Sequence, residues 1–333
     1  MKISKKITFA CCMLAVTFGT MVVLKVFGSN KTVNFNVRET NIPIAMALDD
    51  NYLYPTIVAM TSILENADSK TKYDFYIMHP AEFNGESKRK LKSLEKKYKK
   101  CKVNIIDMGN DYKDANSTGL ATPTYYRLSL SELLPKIDKI LWLDGDILAF
   151  RDLKEMYDLN MEGIYYRGFL DLNVNGFNSF NLPKSQGICA GVMLVNLSKL
   201  REDNMVTKFK QFIKENNNSL YKHDQTVINM ICHDKIGILP PQFGMFNFYT
   251  NAENAKSYSD KLTGPNKYSY EDMHNGFNSL TVLHCVDKPW VRFYEAPFGN
   301  KWWDYAKKSD FYVEISKNYK FFEYLEKHNL NDN

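Results

Sequence analysis

Two aspartates separated by one glycine, Asp144-Gly145-Asp146, stand directly after the apolar run Ile140-Leu141-Trp142-Leu143. Carboxylates at that spacing offer hard oxygen donors to one cation, and Mg²⁺ or Mn²⁺ carrying a diphosphate is the group they suit. If extended geometry persists, the two side chains project to one side, and Gly145 lets a ligand or metal come close to the backbone. The competing reading is an acidic turn closing a core strand, since Asp and Gly are common turn residues. A second apolar run, Leu280 to Leu283, ends at His284. That histidine can complete an octahedral set with the aspartates, or it can be structural.

These groups need strands that end where they stand. A continuous apolar run such as Ile140 to Leu143 reads as a buried parallel strand, and ligands of open α/β sheets bind outside the carboxyl ends of such strands. Pro43 to Leu48 reads as the first strand and ends at Asp49-Asp50-Asn51-Tyr52, where Asp50 or Asn51 can cap the next helix. Further strands are expected over Tyr73 to Met78, Val103 to Met108, Gly163 to Phe169 and Ile188 to Val195. Helices are expected between them, including Thr122 to Leu134, one continuous helix from Ser198 to Asn216, and one beginning at His223-Asp224-Gln225. Strands alternating with helices imply α/β architecture with a doubly wound, mostly parallel sheet. Leu172 to Ser185, rich in Asn, Gly and Ser, is a loop of the length that covers sites. The aromatic run Trp302-Trp303-Asp304-Tyr305 is expected to pack or cap the domain rather than form an acceptor platform.

The net charge of +5 in 333 residues carries no nucleic-acid footprint. Much of it lies in Lys88 to Lys102, where Leu91, Leu94 and Tyr98 recur at helical spacing; this reads as a solvated helix face, with an anionic membrane surface as the alternative. Lys2, Lys5 and Lys6 precede an uncharged run from Ile7 to Leu24. That pattern predicts a signal-anchor helix over 7–27 after a short tail over 1–6, with the N-terminus inside and the body beyond the membrane of a Golgi-like lumen or cell envelope. A stem over 28–41 then leads to a catalytic domain over 42–305 and a helical tail over 306–333. Cys101, Cys189, Cys232 and Cys285 show neither metal spacing nor a disulfide framework and read as buried thiols.

The segments Pro43 to Tyr52, Tyr125-Tyr126-Arg127-Leu128, Leu141 to Asp146, Ala190-Gly191-Val192 with Asn196-Leu197, Asp224-Gln225, and His284 with Lys288-Pro289-Trp290 occur in one order. That ordered set resembles glycosyltransferase family 8, the retaining galactosyl- and glucosyltransferases of lipopolysaccharide synthesis and their glycogenin and galactinol-synthase relatives. The resemblance runs from about Ile42 to Trp290. It implies a GT-A fold and a UDP-hexose donor bound through Mn²⁺, with Mg²⁺ as the alternative metal, and a glycan or glycolipid acceptor. By match of motif, Asp144, Asp146 and His284 would hold the metal. Ala47, Asp49, Asn51 and Tyr52 would line the uridine pocket, with Gly145 beside the donor. Lys288 would reach the diphosphate, Arg127 the donor phosphate or sugar, and Asp224 and Gln225 would lie beneath the sugar. Gln225 is a poor nucleophile because an amide oxygen is weakly basic, so a front-face, oxocarbenium-like route is preferred for retention.

Two departures stand out. His284-Cys285-Val286-Asp287-Lys288 is shorter than the corresponding family segment and lacks its glycine, and Cys189 replaces an asparagine common among the lipopolysaccharide enzymes. Cysteine cannot supply an amide's hydrogen bonds. The shortened segment keeps open a non-catalytic sugar-nucleotide-binding module. A haloacid-dehalogenase phosphatase also opens with strand-Asp-x-Asp, but Ile147 follows Asp146 here where Gly-Thr is usual in that class, and about a hundred residues of α/β precede.

Overall fold

The computed structural model describes residues 39–115, 121–171, 187–217, 220, 222–262 and 267–332. Residues Glu39 to Asn333 group as one compact unit. The first strand, β1 (Thr40–Ala47), is followed by a 3₁₀ turn over Asp50–Tyr52 and then by α1 (Leu53–Glu65). Its cap is Asp49, one residue before the expected position, because its carboxylate accepts from the amides of Asn51 and Tyr52 at the 3₁₀ turn. Asp50 instead reaches across to the Ser87 hydroxyl at 2.6 Å and the Asn84 amide. Next come β2 (Thr71–His79), the lysine-rich α2 (Gly85–Lys97) capped by Asn84, and β3 (Cys101–Asp107).

The segment Thr122–Ser129 is a 3₁₀ helix, continued by the short α3 (Leu130–Leu133). After β4 (Lys139–Leu143) come β5 (Ile147–Ala149), α4 (Lys154–Tyr157), β6 (Tyr166–Leu170) and β7 (Ile188–Asn196). The single helix expected from 198 to 216 is two, α5 (Leu197–Glu202) and α6 (Met205–Asn216). Asn204 between them has φ +55°, a left-handed conformation that Asn tolerates better than most residues and that breaks the helix. The chain continues through α7 (His223–Cys232), β8 (Ile236–Ile238), β9 (Phe243–Phe246), α8 (Ala252–Lys261), α9 (Tyr270–Asn278) and β10 (Val282–His284). It closes with α10 (Pro289–Arg292), α11 (Gly299–Lys308), α12 (Tyr312–Asn318) and α13 (Phe321–Lys327).

Seven strands form the main sheet in the order β3-β2-β1-β4-β7-β6-β8. The pairs β1–β2, β2–β3, β1–β4 and β6–β8 are parallel, as expected of buried strands in an α/β fold. The reversal is β7, antiparallel to both β4 and β6. It follows from chain path, since β6 returns beside β7 with the strands running oppositely. A second sheet, β5-β10-β9, carries His284. The histidine therefore reaches the aspartates from a separate small sheet and not from a strand of the doubly wound one.

Trp302 and Trp303 are fully buried among the C-terminal helices, consistent with a packing role. The four cysteines of the folded unit are free, and all but the half-buried Cys101 are buried. The expected single-pass membrane placement is corrected: among the described residues no helix is long and apolar enough to cross a membrane. The segments read as tail and anchor (1–6 and 7–27), most of the stem, and the loop 172–185 lie outside the described residues.

Candidate active site

Asp144 and Asp146 leave the end of β4, and β5 begins at the next residue. Two pairings then fix their surroundings. Asp144 donates its amide to the Gly191 carbonyl at 2.8 Å, extending the β4–β7 ladder past Leu143. Because β7 is antiparallel, its start, Cys189-Ala190-Gly191, and not its end, lies at the aspartates. On the other side His284 pairs in register with Ile147, and the Cys285 amide donates to the Asp146 carbonyl at 2.7 Å. His284 Nε2 consequently lies 3.1 Å from Asp146 Oδ1. One ligand atom from each of Asp144, Asp146 and His284 falls within a 4.8 Å cluster.

Two glycines stand where the backbone is closely approached. A Cβ on Gly145 would lie 2.4 Å from Thr56 Oγ1, so that glycine is needed where α1 packs behind the loop. The backbone that comes against the ligand set is Gly191, where a Cβ would lie 2.3 Å from His284 Cε1 and 2.9 Å from Asp144 Oδ2.

Arg127, buried in the 3₁₀ segment, ties the two ends of the site together. Its Nη2 lies 3.0 Å from Asp144 Oδ1 and its Nε 3.0 Å from Asp224 Oδ2. It also donates to the carbonyls of Thr124 and Ala190, and its guanidinium stacks 4.4 Å from the Trp142 ring centroid. Trp142 Nε1 donates to Asp144 as well, at 2.8 Å. The guanidinium thus bridges the carboxylates of Asp144 and Asp224.

Burial pushes the Asp144 carboxyl above its ordinary value, against the pull of Arg127. Burial weighs most on Asp146 too, but His284, Lys288 and a backbone hydrogen bond together outweigh it and hold the carboxyl below the usual range. Asp146 in turn raises His284 well above the ordinary imidazole value despite desolvation. Asp224 is pushed up to about 6 by burial, which Arg127 only partly offsets.

Two connected clefts open over these groups. Ala47, Asp49, Tyr52, Arg127, Asp144, Gly145 and Asp146 line the smaller, of roughly 150 Å³. The larger, of roughly 380 Å³, shares Tyr52, Arg127, Asp144 and Asp146 and adds Asp224, Gln225, His284 and Lys288. Asn51 alone of the expected residues lines neither; it is exposed, and its amide donates to Asp49 at 3.3 Å. Lys288, despite the shortened segment before it, places its ammonium 5.1 Å from the Tyr52 ring centroid and 5.8 Å from that of Trp290.

Asp171 and Lys222 were not picked out by sequence reasoning, yet both line the larger cleft. The only signal for Asp171 is an acid directly after the apolar end of β6. Lys222 stands two residues before Asp224. Cys189 lies with its sulfur 3.4 Å from the Gly191 amide and 3.7 Å from His284 Nδ1. It serves as the partner of the ring nitrogen turned away from the aspartates, the kind of contact that orients a metal-ligating histidine.

The donor set fits a divalent cation: two carboxylates and an imidazole converge on one point, and Gly191 keeps that point clear of a side chain. Known proteins resemble the chain over most of its length. The model of glycosyl transferase family 8 matches residues 43–292. Glycosyltransferase GlyF of Streptococcus pneumoniae is 22% identical over 274 residues, covering 79% of this chain and 60% of that protein. Lipopolysaccharide 1,2-glucosyltransferase of Escherichia coli is 25% identical over 228 residues, covering 64% of this chain and 65% of that one. The chain thus spans less than two thirds of the length of each of these two relatives. The solved structure of galactosyltransferase LgtC with donor and acceptor sugar analogues superposes with a TM-score of 0.68 at 21% identity, covering 81% of this chain and 96% of that one, and shows the GT-A-like fold. With the family model running from within β1 through β10 and over Asp144, Asp146 and His284, the chain belongs to glycosyltransferase family 8.

Proposed function

We propose that the protein transfers a hexose, galactose or glucose, from a UDP-sugar to a glycan or glycolipid acceptor with retention at the anomeric carbon, aided by Mn²⁺ or alternatively Mg²⁺. The observation that carries this reading is the pairing of the Asp144-Asp146-His284 cluster with Lys288 across one cleft. Lys288 forms no ion pair among the described residues, so its ammonium is available to a diphosphate. Asp144, Asp146 and His284 would hold the metal, which when bound supplies positive charge to the diphosphate oxygens.

The chain's own residues account for the rest. Ala47, Asp49 and Tyr52 bound the smaller cleft, where a nucleoside fits beside the aspartates. The leaving group is UDP, whose developing negative charge is met by a fixed cation rather than a proton donor. Lys288 has that role. Asp224, held by Arg127 at 3.0 Å, accepts from sugar hydroxyls, and the Gln225 carbonyl faces the positive charge that develops on the sugar. Retention follows if the acceptor enters on the face that UDP leaves. Glucosyl transfer by the lipopolysaccharide 1,2-glucosyltransferase relative supports a hexose donor.

The test is UDP release by the purified protein over a panel of UDP-sugars, with Mn²⁺, with Mg²⁺ and with chelator, alongside Asp146→Ala. The expected outcome is slow metal-dependent hydrolysis of one UDP-hexose, lowered about 10²-fold or more by the substitution, as when a preorganised charge-stabilising group is lost. Binding of UDP without turnover of any donor, acceptors included, would favour the sugar-nucleotide-binding module instead.

A further inference from the structure

Gln225 presents its amide in one orientation. Its Oε1 accepts from the Ala190 amide at 3.0 Å, and its Nε2 donates to Asp171 Oδ2 at 2.8 Å. Reversing the amide would set NH₂ against an N–H and oxygen against a carboxylate, so the network itself assigns the direction. The same Asp171 oxygen accepts from Lys222 Nζ at 2.5 Å. Asp171 is buried beside the last residue of β6, Gln225 lies in the first turn of α7, and Ala190 belongs to β7. Three elements therefore agree on the direction of one amide, in a cleft that all of these side chains line.

We propose that Asp171 is the positioning residue that orients and polarises Gln225 for the glycosyl step, with Lys222 as its counter-ion. A charge-assisted N–H···O⁻ bond is roughly twice as strong as a neutral one. It draws the positive end of the amide dipole to Asp171 and leaves the carbonyl end turned away from it, toward the sugar. That carbonyl has two acceptor sites, and the Ala190 amide takes one. The other faces the anomeric carbon as a fixed negative dipole. Lys222 balances the carboxylate, so Asp171 acts through Gln225 and not as a second base. This inference rests on the hexosyl-transfer reading above.

In the step served, the bond from the anomeric carbon to the UDP oxygen breaks with its electron pair going to UDP. The acceptor hydroxyl, or water in its absence, forms the new bond and releases its proton to a phosphate oxygen of the departing UDP. Gln225 and Asp171 change neither bonds nor charge. Their contribution is an oriented dipole present before the charge develops, which needs no reorganisation in the transition state.

The experiment compares wild type, Asp171→Asn and Asp171→Glu in acceptor-free UDP release, together with UDP affinity. Asp171→Asn is expected to lower kcat by about 10- to 100-fold, the scale on which losing an outer partner of a functional group acts, with UDP affinity unchanged and with partial recovery in Asp171→Glu. An unchanged kcat, or a fall matched by an equal loss of UDP affinity, overturns the inference. A second readout does not need turnover: the side-chain amide of Gln225 in glutamine-labelled protein, followed by NMR and assigned with Gln225→Leu. Asp171→Asn should shift that signal and speed its hydrogen exchange; an unmoved signal overturns the inference even if no UDP-sugar is turned over by the wild type. Wild-type inactivity on every donor with a shifted Gln225 signal would instead overturn the hexosyl-transfer reading alone.

Discussion

Asp224 sits with its carboxylate buried against Arg127 and near Asp144, and burial dominates its titration. An acid whose pKa rises from 3.8 to about 6 on folding binds a proton in the folded state that the unfolded state has already lost. Between those values stability must fall as pH rises. At 1.36 kcal/mol per unit, the full swing is roughly 3 kcal/mol. Asp224→Asn keeps an acceptor for Arg127 and removes the titration. The variant should therefore show a shallower decline than the metal-free wild type between about pH 4 and pH 6.5, the remainder belonging to Asp144, measured by denaturant unfolding at a series of pH values. Parallel pH profiles for the two proteins would place the raised pKa elsewhere.

At the scale of elements, the site depends on the direction of β7. Its antiparallel pairing with β4 puts Gly191 opposite the end of β4, where any Cβ would meet the His284 ring at 2.3 Å. The neighbouring atoms are a packed ring and a carboxylate, with no flexible side-chain end to give way. Gly191→Ala should leave the sheet intact, since no left-handed φ is required there, and displace His284 from the aspartates. We expect Mn²⁺ affinity, read by electron paramagnetic resonance of free Mn²⁺, to fall by about tenfold or more, with the circular dichroism spectrum unchanged. Unaltered Mn²⁺ binding would mean that His284 is not part of the metal site.

Across the whole molecule, the C-terminal helices are part of the same core as the site. Phe321 of α13 is fully buried and stacks on Trp303 of α11 at 3.5 Å between ring centroids and 6° between planes. Trp302 lies 5.5 Å from Trp290, which follows the Lys288 segment and meets Tyr52 edge-on at 5.9 Å. Packing thus runs from the last helices to the wall of the smaller cleft. Phe321→Ala should destabilise the fold by about 3–5 kcal/mol, the range for truncating a buried aromatic ring, as measured by chemical denaturation. A loss under about 1 kcal/mol would show that the stacked pair lies outside the cooperative core.

The sequence by itself determined the family and most of the residues that line the clefts. Paired aspartates after an apolar run, a histidine after another, and the ordered segments from Pro43 to Trp290 marked the family and most of the cleft, because strand ends and hard ligands are local patterns that survive in one dimension. It also determined the alternation of strands and helices, since hydrophobic periodicity is local. The placement of His284 in a separate three-stranded sheet, the reversal of β7, and the roles of Gly145 and Gly191 were decided only by tertiary structure. Each depends on which strands become neighbours, and strand direction leaves no mark on a fully buried apolar run. Asp171 shows the same limit most plainly: 54 residues separate it from Gln225, and only the folded sheet brings its carboxylate to 2.8 Å from that amide.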